Sequence, residues 1–390
     1  MKIAFDRKVL LVVSIVLIGL TISGALMGRV VAREGTYAYL KLFNEALYLI
    51  VHNYVQPIEI EAVMEGAYRG MLESLDPGNE YLTSDEFSRA SRGEQGGPAD
   101  VGLAISKRRG YVVVISAAPG SPGSEAGIRT GDVLVSIAGL STRLMGVWEA
   151  TQALRGAEGS ELSIIVNSIT GTGRKTITLN RSTPSGSGIR DSSVKEDVGL
   201  VRITGIESGD ARALDRALAG FREKKASHLL LDLRGCSSRS LPEAIGMASL
   251  FIPDGPIVTV TDRYEGDKAY QADGRKIAWK APVAVLMDEG TSGTCELFAA
   301  ALRDVISAPL LGEKTWGLGT RHELLPLRNG DGVILAVGRF RSPEGKEWNG
   351  EGLEPDYEVE GDEHEEGDPQ RLKAIDYLRG QSPAASRSAA

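Results

Sequence analysis

Three side chains able to attack a carbonyl or move a proton, Ser292, Cys295 and Lys314, fall in one stretch of the chain, residues 283–319. The apolar run VAVLM at 283–287 predicts a buried strand, Gly290 breaks it, and the apolar spacing over 296–305 predicts a helix. A strand, a tight turn and a helix expose the turn's side chains and aim free helix amides at one spot, where a carbonyl oxygen turning negative would be held. That arrangement suits acyl chemistry.

The flanking elements must position such a turn. The chain's 390 residues, 42% hydrophobic and 25% charged, suffice for two or three domains with a sizeable core. A net charge of −8 with no basic block argues against nucleic acid as the main partner. Residues 9–28 carry no charge and are long enough to cross roughly 30 Å of hydrocarbon as a helix. Lys2, Arg7 and Lys8 before them predict a single-pass anchor in the inner membrane, with 1–8 cytoplasmic and the bulk of the chain periplasmic. The other reading of that segment is a cleaved signal peptide, which its long apolar run disfavours. Leu40, Phe43, Leu47, Ile50 and Tyr54 recur at steps of three and four and 58–75 repeats the pattern, so two helices are expected within an arm over 34–93. Ser84 is expected to cap the next helix. Beyond the Gly-rich 94–99 come alternating strands at 102–106, 111–115, 133–137, 162–166 and 175–179. Beyond the joint at 183–188, strands near 198–206 and 228–235 alternate with a helix over 210–224, which indicates an α/β core.

GTSGTCE (290–296) and GEKTWGLGTRH (312–322) resemble, without a gap, the GSASASE and GEKTFGKGSVQ segments of the C-terminal processing peptidases, the tail-specific serine proteases. SPGSEAGIRTGDVLVSIAGL (121–140) resembles a PDZ domain, and 338–360 resembles the family's closing strands. The resemblance spans about 37–378. It implies an α/β fold with a PDZ domain over 96–182, a ClpP/crotonase-like peptidase core over 189–362 and a C-terminal helix and tail over 363–390.

Carried over position by position, the family's nucleophilic Ser falls on Gly293, its general-base Lys on Leu318 and the Gln that orients the Lys on His322. Its paired oxyanion glycines fall on Ser238 and Arg239, where a bulky side chain is expected to restrict the backbone and occupy the substrate channel. A hydroxyl is a weak nucleophile until a base removes its proton, and a Lys does so only with a lowered pKa. Neither half of that device is present. Ser292 and Lys314 are the nearest substitutes, at slipped positions. The resemblance also brings the only two cysteines, Cys236 and Cys295, to one pocket. Three states are open there: two buried thiols, a disulfide in an oxidising compartment closing about 58 residues and worth roughly 2 to 4 kcal/mol, or a Cys295 nucleophile with His322 as base. In the PDZ domain, Val101, Gly102, Leu103, Ala104 and Ile105 would supply the carboxylate loop and its strand, with Trp148 and Leu154 on the helical wall of the groove.

His52, His228, His322 and His364 are isolated in sequence, and no CxxC, HExxH or GxxxxGK[ST] spacing occurs, so no metal and no cofactor are expected. The acidic 361–368 predicts a solvated loop. Together these features describe a C-terminal processing peptidase homologue with degenerate catalytic positions that binds protein or peptide C-termini as a scaffold or adaptor, with the arm as a dimer face or a contact for an active relative. The rival is serine-type or thiol proteolysis by displaced residues.

Overall fold

The computed structural model describes residues 37–169, 171, 173–183, 187–195, 197–361 and 368–380. Two compact units divide after Tyr68. The first holds a helix over 37–53 whose apolar residues Leu40, Phe43 and Ile50 are exposed. A second helix, Ile60–Glu73, begins in the first unit and ends in the other. The next helix, Ser84–Ser91, is capped by Thr83 and not by Ser84: the Glu86 carboxylate accepts the Thr83 backbone N–H at 2.8 Å and its hydroxyl at 2.9 Å. A Thr followed three residues later by Glu is the capping-box pattern, which outranks the Ser inside it.

The PDZ sheet runs Leu103–Arg108, Tyr111–Ala117, Val133–Ile137, Glu161–Asn167, Arg174–Asn180 in space, antiparallel throughout, with Leu140–Ser141 paired to Val133–Ile137. Strand Glu161–Asn167 shows the reason: buried and open positions alternate, so one face meets the helix Val147–Leu154 and the other meets solvent. Leu103–Arg108 ends the sheet, which leaves its outer edge unpaired.

The core sheet runs Tyr357–Glu358, Leu310–Gly312, Val283–Met287, His228–Asp232, Val198–Ile203, Ile189–Lys195; only the last pair is antiparallel. Val283–Met287 is buried along its whole length because successive side chains find cover on opposite faces. Val285 and Met287 pack with Leu218, Met247 and Phe298 from the helices Asp210–Glu223, Leu241–Ala248 and Thr294–Ile306, while Ala284 and Leu286 pack with Ala374, Ile375 and Leu378 of Pro369–Leu378. Buried Arg234 ties that last helix to the strand end, donating to Asp232 and Asp368 at 2.7 Å and to Gln370 at 3.0 Å.

A second, antiparallel sheet orders Glu80–Leu82, Gly332–Arg341, Pro256–Asp262 and Gly266–Gln271, with Thr320–Pro326 also paired to Gly332–Arg341. Gly332–Arg341 lies between the strand carrying His322 and the one carrying Glu80.

The expectation of a single-pass inner-membrane anchor with a periplasmic bulk needs correction. Among the described residues no helix is long and apolar enough to cross a membrane, and residues 9–28, which prompted it, lie outside them. The anchored reading is withdrawn.

Candidate active site

After Val283–Met287 the chain folds back on Asp288, whose carboxylate accepts the amides of Gly290 (3.0 Å) and of Gly235 on the neighbouring loop (2.7 Å). Burial pushes this carboxyl above its ordinary range. Thr291 donates its hydroxyl to the Leu233 carbonyl at 2.8 Å, and Ser292 donates its backbone N–H to the Cys236 carbonyl at 2.8 Å. The two loops then run side by side as a short parallel pair, Ser237 opposite Ser292 and Ser238 opposite Gly293. A Cys236–Cys295 disulfide, Cα atoms 6.0 Å apart, crosses between them.

Gly293 sits at the hinge from strand to helix with φ 67° and ψ −125°. A Cβ at this position would lie 2.1 Å from the Ser238 carbonyl oxygen, closer than any real side chain packs. The position aligned with the family's nucleophile therefore has neither a side chain nor room for one.

One buried carboxylate holds this turn to the loop that follows Leu310–Gly312. Glu296, wholly buried, accepts the backbone amides of Gly293, Gly317 and Leu318, each at 2.8 Å, and the Thr315 hydroxyl. Burial pushes it up to about 7 against the pull of those four donors. Its part was open to sequence reasoning: a Glu three residues into a helix caps backward onto the hinge.

Leu318, at the position the resemblance gives to the general base, packs against the cluster of Trp316 with Val113 and Ile115 of the PDZ sheet, as do Ala104 and Val133. The Arg108 guanidinium lies 4.3 Å from the Trp316 ring centroid, over the same seam. An apolar contact between domains thus stands where proton transfer would require a nitrogen.

The displaced candidates are placed as follows. Ser292 is wholly buried and donates its hydroxyl to Ser237 Oγ at 2.8 Å. Cys295 is also wholly buried, and its sulfur is in the disulfide, which removes the free-thiol and thiolate readings. Lys314 points outward to Glu354 at 2.5 Å. His322 is pulled down to about 4 by burial, then by the charge of Arg239, with a hydrogen bond to the Pro77 carbonyl opposing. Its Nε2 has no hydrogen-bond partner among the described residues and lies 3.1 Å from where a Gly78 Cβ would be. Arg239 Nη2 reaches the same spot, 3.7 Å from it. The structure therefore brings Gly293, Ser292, Cys236 and Cys295 together and leaves Lys314 apart from them.

In the PDZ domain, Gly102, Leu103 and Ala104 are half-buried on or beside the free sheet edge, and Ile105 turns inward. Val101 and Leu154 are buried in the domain's own apolar cluster, and Trp148 lies 5.6 Å from the Arg89 guanidinium. Val101 and Leu154 pack the module, because the small domain needs their area for its core, while Trp148 is half-buried and outside that cluster. The Gly102 amide already donates to Asp100 Oδ1 at 2.8 Å.

Residues 197–359 match peptidase family S41, and residues 113–167 match the PDZ domain. The chain is 27% identical over 357 residues to the carboxy-terminal processing protease CtpA of Bacillus subtilis, covering 90% of this chain and 76% of that protein. It is 28% identical over 323 residues to the chloroplastic C-terminal processing peptidase of Tetradesmus obliquus, covering 78% and 70%. Among solved structures it matches a photosystem II D1 C-terminal processing protease with a TM-score of 0.69 at 26% identity, covering 81% of this chain and 86% of that one. The chain thus carries a peptidase S41 domain and a PDZ domain and is similar over most of its length to C-terminal processing peptidases.

Proposed function

We propose that this member binds the C-terminal tails of other proteins through its PDZ domain and does not hydrolyse them, acting as a scaffold or adaptor. The observation that carries the reading is Gly293: a side chain there would overlap the Ser238 carbonyl, which leaves no room for a nucleophile at the position the resemblance gives it. Leu318 in the seam with the PDZ sheet, buried Ser292 and disulfide-bound Cys295 support it, since no free nucleophile and base meet at the turn. The PDZ match and the unpaired edge of Leu103–Arg108 support binding, because a peptide can add there as a strand with pockets for alternate side chains.

The test is fluorescence anisotropy on the full chain with two peptides, one ending in apolar residues with a free carboxylate and the same peptide amidated. The free form should bind at least about tenfold tighter, since the amidated one loses its charge-assisted hydrogen bonds. Equal binding, or none, removes the tail-binding reading.

A further inference from the structure

The helix beside the peptide edge, Val147–Leu154, starts at Gly146, which has no side chain to satisfy the first free amides. The cap comes from elsewhere in the chain. Glu80, on the short strand Glu80–Leu82 of the peptidase core's second sheet, accepts the Trp148 amide on Oε2 at 2.7 Å and the Glu149 amide on Oε1 at 3.3 Å. These are the second and third residues of the helix, the donors that a cap normally takes. Glu80 is 5% exposed. Gly146 is what admits it, because a Cβ there would stand 1.6 Å from Glu80 Oε1.

The same neighbourhood holds the opposite wall. Lys107, on the edge strand, pairs with Glu73, while Arg69, one turn earlier on the helix Ile60–Glu73, donates to Glu149 at 3.4 Å. One helix end therefore bridges the strand and the helix between which a peptide would lie.

We infer that the peptide groove is a composite: Glu80 is the N-cap of the groove helix, and Arg69 and Glu73 are a strut that sets the helix against the edge strand. Glu80 is in this sense a positioning residue for tail binding. The assignment deepens the tail-binding reading and rests on it for its consequence, but not for its geometry. A PDZ fragment cut out at 96–182 lacks all three residues and would carry an uncapped groove helix.

Two measurements on the full chain test this. Amide hydrogen exchange on the unmodified protein should find the Trp148 and Glu149 N–H groups protected like those of the core strands; exchange at the rate of open helix-terminal amides overturns the cap. In the anisotropy assay, Glu80→Ala should weaken the free-carboxylate peptide about fivefold, the loss expected of a missing cap, and adding Gly146→Asp should recover it to within about twofold. Unchanged affinity in a folded Glu80→Ala protein, or no recovery in the double variant, refutes the positioning role. If the unmodified chain binds no peptide, tail binding fails, while exchange at Trp148 and Glu149 still decides the cap. If Glu80→Ala does not fold, exchange decides likewise.

Discussion

Introducing the Ser and Lys that the family resemblance places at these two positions, Gly293→Ser with Leu318→Lys, should not produce a peptidase. A Cβ at residue 293 would start 2.1 Å from the Ser238 carbonyl oxygen, and ordinary contact begins near 3.4 Å, so the neighbouring strand would have to retreat by 3.4 − 2.1 = 1.3 Å. That strand is held by the Ser292 to Cys236 hydrogen bond, by its parallel pairing and by the Cys236–Cys295 disulfide. A non-glycine residue at φ 67° adds about 1–2 kcal/mol of backbone strain. The new ammonium would enter the apolar seam of Trp316, Val113 and Ile115, over which the Arg108 guanidinium already lies. Together these terms should lower stability by about 3–5 kcal/mol, within the range of severe core substitutions. A domain the size of the core over 189–362 loses roughly 2–4 °C of Tm per kcal/mol. A 1 Å misplacement of the attacking oxygen alone costs about a hundredfold in rate. The assay is thermal denaturation followed by incubation with an unfolded protein ending in apolar residues, read by intact-mass spectrometry. New termini that depend on both substitutions, in a variant melting like the parent, would refute the steric reasoning.

Unreduced, denatured protein should contain no free thiol on titration, and Cys236→Ser should cost roughly 2–4 kcal/mol by denaturant melts; two titratable thiols contradict the crosslink. Glu296→Gln should destabilise by about 3 kcal/mol, because an amide cannot accept on both ends and its NH2 must face backbone N–H groups; a variant melting within 1 °C of the parent, about the spread of a melt, would show that the carboxylate is not holding the two loops. His322 should stay neutral until about pH 4. Its folded pKa lies below the unfolded 6.5, so its contribution is fully present above 6.5 and is lost as pH falls through 4, about 3 kcal/mol in all. An imidazole NMR titration shows this, and a midpoint near 6.5 contradicts it.

What was legible in the chain follows from how locally each feature is determined. Val283–Met287 shows as a strand because both of its faces are covered, leaving an unbroken apolar run. The helix after it shows by apolar spacing, yet it starts at Thr294 rather than 296, since Glu296 caps backward from its third position. The strands Pro256–Asp262, Gly266–Gln271 and Thr320–Pro326 passed unread: their residues are mostly half-buried or open, so no period-two pattern stands out. Motif spacing located Gly293 and Leu318, but not the closeness of Ser238 or the packing of Leu318 on the PDZ sheet, which join segments distant along the chain. Glu80 reaches an amide 68 residues away, and no local signal announces such a cap. Trp148 and Leu154 were read as groove residues from helical position alone; burial in a small domain took Leu154 for the core instead.

The most direct test of the central claim is to incubate the unmodified full chain with an unfolded protein bearing an apolar, free C-terminus and to follow both masses over hours. A turn without nucleophile or base predicts that both stay unchanged. A truncated product that disappears with Ser292→Ala would contradict the account.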